Sequence, residues 1–467
     1  EQDLKAEHRY IPPKVVPTLD GAFNDKIAII GAGPAGLSCA FYLAERGYSP
    51  TIFEKNEKPG GMLRYGIPSF KLEKDVLDAE IDIIRAMGVE IRCGVEVGKD
   101  ITLNELRKQG YKAFYLAVGC QGGRMANIPG ENAEGVMTAV DFLRTVGQDE
   151  SYKVSGQTVV VGGGNVAIDV ARSAYRCGAE SVSMFCLEPR KKMPASVEEI
   201  AEAEEENVSI NCGWGPKEIL TENGKVKGII FKKCISVWDE SGRFCPTYDE
   251  NDTKTIACEH VILSIGQSIV WGDLLAGSKV ELGRGNGAIA DSLTYQTAES
   301  DIFVGGDVYT GPKFAIDAIA AGREGAISIH RFVRPHSSLT IGRNRRDFIA
   351  LDKENILVEN YDNSSRQIPG HAAEQKSSFR DTKLPFTEEQ VKKETARCLG
   401  CGASVVDPNK CIGCGVCTTK CEFNAIKLYR ERPECSTMIA SEDKLKKILL
   451  NGAKQAIKIK FSGKKGK

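Results

Sequence analysis

Lys26-Ile-Ala-Ile-Ile-Gly31-Ala-Gly33-Pro-Ala-Gly36-Leu37 is the stretch around which the chain is organised. The apolar residues 27–30 predict a buried parallel strand. Gly31, Gly33 and Gly36 predict the G-x-G-x-x-G turn, and residues 37–46 a helix whose N-terminus faces a pyrophosphate. The glycines differ in what they permit. Gly31 allows the tight turn, Gly33 lets the backbone approach phosphate, and Gly36 lets helix and strand lie close. Glu54, 18 residues beyond Gly36, ends the next apolar stretch, where a carboxylate can accept a hydrogen bond from a ribose hydroxyl. A bare strand-to-helix turn would require none of this spacing, so a dinucleotide site is expected.

The 467 residues predict about three domains with ample core. A net charge of −1 removes any bulk electrostatic case for nucleic acid or an anionic membrane. The longest apolar run, 27–44, holds Gly31, Gly33, Pro34 and Gly36, which suits a dinucleotide turn and not a membrane span. No export signal is read, and because the chain starts at Glu1 it is expected to begin inside a longer polypeptide. Of 16 cysteines, nine are scattered through the first 258 residues and are expected to be ordinary buried thiols. The other seven fall between Cys398 and Cys435, which points to a metal site in a reducing, cytoplasmic setting.

Residues 1–25, with Pro12, Pro13 and Pro17, predict an extended arm. Pro59, Gly60, Gly61, Gly66 and Pro68 predict a loop able to pass close to a flat ring. A helix over 73–87 and strands over 89–92 and 114–119 follow. A second unit then appears: Thr158-Val-Val-Val-Gly162-Gly-Gly164-Asn165-Val166-Ala167 repeats strand, turn and helix as G-x-G-x-x-A, so a second nucleotide is expected, the alternative being a duplicated scaffold with an empty site. The next strand, 181–187, ends at Glu188. An acid there suits a free ribose 2′-hydroxyl and favours NADH, whereas Arg190, Lys191 and Lys192 could recruit the 2′-phosphate of NADPH. The acidic run 198–206 predicts a solvated helix face. Strands over 261–266 and 301–305, then Gly306-Asp307 and a helix over 314–332, complete the first domain around the second. An Asp at such a strand end can bind a ribityl hydroxyl, and the helix N-terminus can stabilise negative charge on a flavin.

By these motifs, residues 26–332 resemble the flavoprotein module of the glutamate synthase small subunit, shared by the N-terminal half of dihydropyrimidine dehydrogenase and by the NADPH-binding subunit of electron-bifurcating ferredoxin:NADP transhydrogenases. The likeness rests on the 31–36 turn, Pro-Gly-Gly-Met-Leu-Arg-Tyr-Gly-Ile-Pro at 59–68, Gly-Gly-Gly-Asn-Val-Ala-Ile-Asp at 162–169, Met193-Pro194 and Gly-Gly-Asp at 305–307. It implies an α/β fold of two Rossmann-like dinucleotide-binding domains, the NAD(P) domain (151–265) inserted between the parts of an FAD domain (26–150 and 266–335). It implies FAD held by Gly31, Gly33, Pro34, Ala35, Gly36, Glu54 and Lys55, by Gly61, Met62, Leu63, Arg64, Gly66 and Ile67, and by Gly119, Gly266, Gly306, Asp307 and Ala315. It further implies a nicotinamide dinucleotide on Gly162, Gly164, Asn165, Val166, Ala167, Glu188 and Arg190. NADPH-using members carry arginines where this chain has Leu187 and Glu188, which favours NAD(H). The family also places a cysteine-rich domain before the FAD turn, and 25 residues cannot hold one.

Residues 336–395 predict a connector ending in a short helix over 387–396, and 396–435 a ferredoxin-like segment. Cys411, Cys414, Cys417 and Cys421 have the C-x₂-C-x₂-C-x₃-C spacing of bacterial ferredoxins, with Glu422 where proline is usual. Cys411, Cys414 and Cys417 are expected ligands of a [4Fe-4S] cluster. Cys435 or one of Cys398 and Cys401 could supply the fourth, and Cys398, Cys401, Cys421 and Cys435 together would make a second cluster. A zinc knuckle on Cys398, Cys401, Cys411 and Cys414 would leave Cys417 and Cys421 idle. Residues 436–467 predict an amphipathic helix over 441–457 and a basic tail.

The expected function is an FAD-dependent NAD(P)H oxidoreductase subunit that exchanges electrons with iron–sulfur clusters. Its partners would be other redox subunits of the hydrogenase, formate dehydrogenase, transhydrogenase or glutamate synthase large-subunit type, with electron bifurcation open. Hydride exchange between stacked rings needs no protein acid or base, so no catalytic side chain is nominated. The other readings are a glutamate synthase small subunit and a non-catalytic electron wire.

Overall fold

The computed structural model describes residues 22–343, 365–370, 378–381, 383–398, 411–420, 426, 428 and 443–462. Lys26–Ile30 sits at the centre of a five-stranded parallel sheet, in the order Ile302–Val304, Tyr111–Leu116, Lys26–Ile30, Thr51–Glu54, Glu90–Cys93. Burial on both faces explains its uninterrupted apolar sequence, since helices cover both sides of a parallel sheet. The Pro34–Glu45 and Ala315–Val333 helices lie side by side on one face.

They approach closely because glycine faces backbone between them. A Cβ on Gly322 would stand 2.3 Å from the Ala35 carbonyl oxygen, and one on Gly325 would stand 2.3 Å from the Tyr115 ring. The Ser38 hydroxyl adds a 2.7 Å hydrogen bond to the Ile319 carbonyl.

The second sheet is also parallel and five-stranded: Val136–Thr138, His260–Leu263, Gln157–Val161, Ser181–Cys186, Ser209–Cys212. Val136–Thr138 is thus a strand of the second sheet although it precedes residue 151, because its pairing partner is Val261–Leu263 and not a strand of the first sheet. The Ala139–Gln148 helix follows it, capped by the Thr138 hydroxyl, which accepts from the Asp141 amide at 3.2 Å.

A three-stranded antiparallel ribbon, Trp214–Glu222, Lys225–Trp238 and Phe244–Ala257, is appended to this half, where the sequence reading has no element. Its first hairpin turns at Asn223-Gly224, both with positive φ (52° and 79°), the pair that two-residue hairpins favour. Phe231 on the ribbon stacks on Phe185 of the sheet, centroids 4.0 Å apart, and so joins the two layers.

Three expectations need correction. The 261–266 strand does not complete the first domain: His260–Leu263 lies in the second sheet, between Val136–Thr138 and Gln157–Val161, because its backbone pairs with those strands. The 198–206 acids are a solvated face only in part: Glu198, Glu204 and Glu205 are exposed, but the others face inward. The Val197–Glu205 helix turns Glu199, Glu202 and Glu206 toward Arg172, Arg176 and Lys71, and Glu206 is buried between the two guanidiniums (2.8 Å to each). The cations lie on other elements, invisible to a reading of charge along the chain. Nor are all nine early cysteines buried: Cys245 is exposed, and Cys93 and Cys212 are partly so.

Contacts divide the chain into Glu1–Lys393 and Glu394–Lys467. Residues 1–21, most of the expected arm, lie outside the described residues. In the C-terminal unit, Val416–Lys420 and Lys444–Ser462 are helical. Among the described residues, no helix is long and apolar enough to cross a membrane.

Gly322→Ala is expected to destabilise the first half by about 1–3 kcal/mol, because its Cβ meets backbone that cannot yield. Urea unfolding of the variant beside wild type, with the midpoint unchanged if the helices can part freely, checks this.

Candidate cofactor site

One cavity of about 590 Å³, within the size range of small-molecule sites, opens at the carboxyl ends of both sheets. The first half lines it with Gly31, Gly33, Pro34, Ala35 and Glu54, with Gly61, Met62, Leu63, Gly66 and Ile67, and with Gly119, Gly306, Asp307 and Ala315. From the second half come Gly164, Asn165 and Val166, and from the returning chain Gly266. Residues that the sequence separates by more than 130 positions therefore share one space.

The turn is built as its sequence requires. Gly31 has φ +105°, and a Cβ there would be 2.5 Å from the Ala117 carbonyl oxygen. A Cβ on Gly36 would be 2.0 Å from the Gly31 carbonyl, so Gly36 serves packing and does not line the cavity. Neither the Pro34–Glu45 nor the Asn165–Arg176 helix has a side-chain cap, so no capping side chain competes with phosphate oxygens for the first-turn amides. Open space where a Cβ on Gly119 or Gly164 would stand makes room for flat or phosphorylated groups. The donor chemistry and the glycine cradles fit two dinucleotides.

Glu54 is buried and already engaged. One carboxylate oxygen accepts from the Ala32 amide (2.8 Å), and the other from the Asn56 amide (2.9 Å) and side chain (2.6 Å). It locks the glycine turn to its own strand while lining the cavity. Arg64 does not line it: its guanidinium donates to the Pro59 carbonyl (2.6 Å) and pairs with Asp78, bracing the 59–66 loop from behind. Lys55 is exposed and also outside. Lys74 completes the brace, its ammonium donating to the carbonyls of Leu63 (3.0 Å), Ile67 (2.6 Å) and Leu72 (3.1 Å). Burial lowers its pKa to about 8. Asp307 lies on the cavity wall, and burial pushes its carboxyl upward.

In the second half, Gly162 (φ +144°) abuts Ser264, and Ala167 is buried beneath the turn. A Cβ on Gly163 would meet the Glu188 carboxylate at 3.1 Å, so that carboxylate stands over the nucleotide turn. Gly162, Ala167, Glu188 and Arg190 lie outside the cavity lining, and Arg190 is turned away to Glu204 at 2.6 Å.

Sequence reasoning missed several lining residues, among them Val118, Gln121, Ala139, Val140, Leu143 and Asp169. The helix behind Thr138 could have been found from its cap and spacing; the identity of its cavity face could not.

Among the described cysteines of the C-terminal unit, Cys398, Cys411, Cys414 and Cys417 are exposed. Gly413 and Gly415 have positive φ (67° and 78°), which curls the loop between the thiols. Cys401, Cys421 and Cys435 lie outside the described residues.

The pyridine nucleotide-disulphide oxidoreductase profile matches residues 25–322, which hold both glycine turns and the whole cavity wall. The chain belongs to that family. A 4Fe-4S binding domain profile matches residues 404–427 of the same oxidoreductase. Over 390 residues it is 35% identical to the NADP(+)-dependent formate dehydrogenase subunit beta of Moorella thermoacetica, covering 80% of this chain and 54% of that one. It is 33% identical over 416 residues to the NADPH-Fe(3+) oxidoreductase subunit beta of Geobacter sulfurreducens (81% and 61%). The NAD-dependent dihydropyrimidine dehydrogenase subunit PreT of Escherichia coli is 36% identical over 309 residues (66% and 68%). The chain thus spans a little over half the length of the first of these relatives and about three fifths of the second. Its fold is that of FprA from Mycobacterium tuberculosis (TM-score 0.57, 19% identity, 66% of this chain and 84% of that one) and of thioredoxin reductase from T. acidophilum (0.51, 21%, 65% and 97%).

Between pH about 8 and the ordinary lysine value near 10.5, the unfolded chain binds more protons at Lys74 than the folded chain does, so stability gains with rising pH there. Lys74→Met is expected to abolish this gain. The stability difference between wild type and variant, followed by urea unfolding from about pH 7 to about pH 10, should therefore widen in favour of wild type.

Proposed function

We propose that the chain is an FAD-dependent NAD(P)H oxidoreductase subunit that exchanges electrons between a nicotinamide dinucleotide and a [4Fe-4S] cluster, and through it with partner redox subunits. The observation that carries this reading is the single cavity lined by both glycine turns, because two dinucleotides seated on their own turns would meet there ring to ring. When bound, a flavin accepts a hydride from reduced nicotinamide and returns the two electrons singly, the conversion an iron–sulfur acceptor needs.

The chain's own residues bind and orient. Gly31, Gly33, Pro34 and Ala35 form the turn that offers backbone amides to the FAD pyrophosphate, Glu54 a lone pair to a ribose hydroxyl, and Asp307 a carboxylate to the ribityl chain. The braced loop at Gly61–Ile67 walls the ring. Gly162, Gly164, Asn165, Val166 and Ala167 form the turn for the second nucleotide. The domain limits that fit this reading are 26–150 with 266–335 for FAD, 151–265 for the nicotinamide nucleotide and 396–435 for the cluster, with the strand at Val136–Thr138 assigned to the second sheet.

NADH is favoured over NADPH. The Glu188 carboxylate beside Gly163 would repel a 2′-phosphate, Arg190 is held by Glu204, and Lys192 lies over the Trp238 ring at 5.3 Å. Cys411, Cys414 and Cys417, with Cys435 or one of Cys398 and Cys401, would ligate the cluster, and Cys398, Cys401, Cys421 and Cys435 together would hold a second. The named subunits of formate dehydrogenase and Fe(3+) oxidoreductase support a place in a larger redox complex. The C-terminal cluster segment favours this over a glutamate synthase small subunit, whose module needs no such exit.

Anaerobic mixing with NADH is expected to bleach the flavin absorbance and produce a reduced-cluster signal by low-temperature electron paramagnetic resonance. No bleaching with either nucleotide would overturn the assignment. Glu188→Ser should cut the preference for NADH over NADPH by about tenfold, the scale of one charge contact of about 1.4 kcal/mol, measured as the ratio of the two kcat/KM values.

A further inference from the structure

Immediately after the cavity loop, residues 69–71 leave the first half and enter a slot in the second. Phe70 belongs by sequence to the first half but is buried in the core of the second, among residues of the 165–176 and 197–205 helices. The Arg176 and Arg172 guanidiniums lie 4.0 and 4.7 Å from its ring centroid, and the Phe379 ring of the connector 6.3 Å away. Lys71 then extends its ammonium between Asp169 and Glu199, in ion-pair contact with both.

Asp169 is mostly buried and lines the cofactor cavity, one helical turn beyond Asn165, which lines it too. Burial pushes its carboxyl up to about 6 against the pull of Lys71. The network continues through Arg172 to Glu202 (2.5 Å) and through Arg176 to Glu206. Lys383 of the connector lies 3.6 Å from Glu202, and the Ser378 carbonyl accepts from Arg176 at 2.9 Å. Four acids, Asp169, Glu199, Glu202 and Glu206, therefore face four cations. Two of these, Arg172 and Arg176, belong to the second half, and Lys71 and Lys383 arrive from outside it. Taken alone, the second half would hold half-buried carboxylates short of partners, which is costly. That deficit selects the one arrangement in which the hook is seated.

We propose that Phe70 and Lys71 form a hook that sets the spacing of the two dinucleotide-binding halves, so that Lys71 and Asp169 are positioning residues for hydride transfer. The inference rests on the function proposed above. Reacting atoms must come within about 3–3.5 Å, and a misplacement of about 1 Å can cost about a hundredfold in rate. The two sheets share no strand. Their spacing therefore depends on contacts that cross between them, and this is a buried, charged crossing whose far end reaches the cavity wall. It predicts an effect on the transfer step and little on nucleotide binding, since the glycine turn and Glu188 stay in place.

The test uses the flavin-loaded full chain under anaerobic stopped flow, with the limiting rate of flavin bleaching and the half-saturating NADH concentration read separately. Lys71→Met is expected to lower the limiting rate about tenfold or more, with half-saturation unchanged within about threefold, and Lys71→Arg to recover most of the rate. Amide hydrogen exchange of the nucleotide-free protein should rise across the Asn165–Arg176 helix in Lys71→Met and not in Lys71→Arg. Glu199→Gln, which leaves Lys71, Asp169 and the cavity lining intact, should lower the limiting rate about threefold, and it decides the matter if Lys71→Met is isolated without flavin. Wild-type limiting rates with unchanged exchange, or an effect confined to half-saturation, would overturn the hook. A wild-type protein that fails to bleach would instead sink the proposed function, and that trace is recorded before any variant is made.

Discussion

Everything in this molecule depends on backbone approaching backbone at the carboxyl end of a parallel sheet. Gly31 lies where any Cβ would overlap the Ala117 carbonyl, and Gly36 where it would overlap Gly31 itself. Those two contacts fix the Pro34–Glu45 helix against the central strand. Gly322 repeats the device one layer out, so that the Ala315–Val333 helix lies against the first. The close approach carries the uncapped helix N-terminus to the cavity wall, and with it the amides that an anion needs. A larger residue at any of the three positions would part the layers before it altered any ligand contact.

The second half uses the same corner and adds what the first lacks. Gly162 abuts Ser264 as Gly31 abuts Ala117, and the Glu188 carboxylate stands beside the turn where the distal acid of the first half also stands. The two acids nevertheless have different surroundings. Glu54 is buried and spends its oxygens on the Ala32 and Asn56 amides, whereas Glu188 is half-buried at the turn's edge. One acid mainly holds its own turn in shape; the other stands over its turn with its carboxylate near Gly163. The antiparallel ribbon packs on this half through the Phe185–Phe231 stack.

Between the halves lies an unusually polar junction. Arg172, Arg176 and Glu206 are nearly all buried, and burial opposes charge on Glu206 while the two guanidiniums outweigh it and hold its carboxyl below the usual range. Such clusters seldom add much net stability, since desolvation offsets attraction. Separating such a cluster is costly, however, because it leaves buried charges unpaired. The connector at Ser378, Phe379 and Lys383 takes part in the same cluster, so the chain leading to the cysteine-rich segment is tied to the junction of the two halves.

Much of this was legible in the sequence, for a physical reason. A glycine that faces backbone, an apolar strand buried on both sides, an acid at a fixed distance and cysteines at ferredoxin spacing are local demands, met by residue type and interval alone. They determined the two dinucleotide units, the split first domain and the family. The ribbon left a signal too, Asn223-Gly224, but one diluted among mixed polar residues. What only the tertiary structure decided was partnership across distance. Glu199, Glu202 and Glu206 look solvated until Arg172, Arg176 and Lys71 are brought to them, and Arg64 looks like a ligand contact until Asp78 and the Pro59 carbonyl claim its guanidinium. Asp169 lines the cavity only because the second half is turned to face the first. Charge pairing and cavity walls arise from elements far apart in the chain, and no interval along it records which of them will meet.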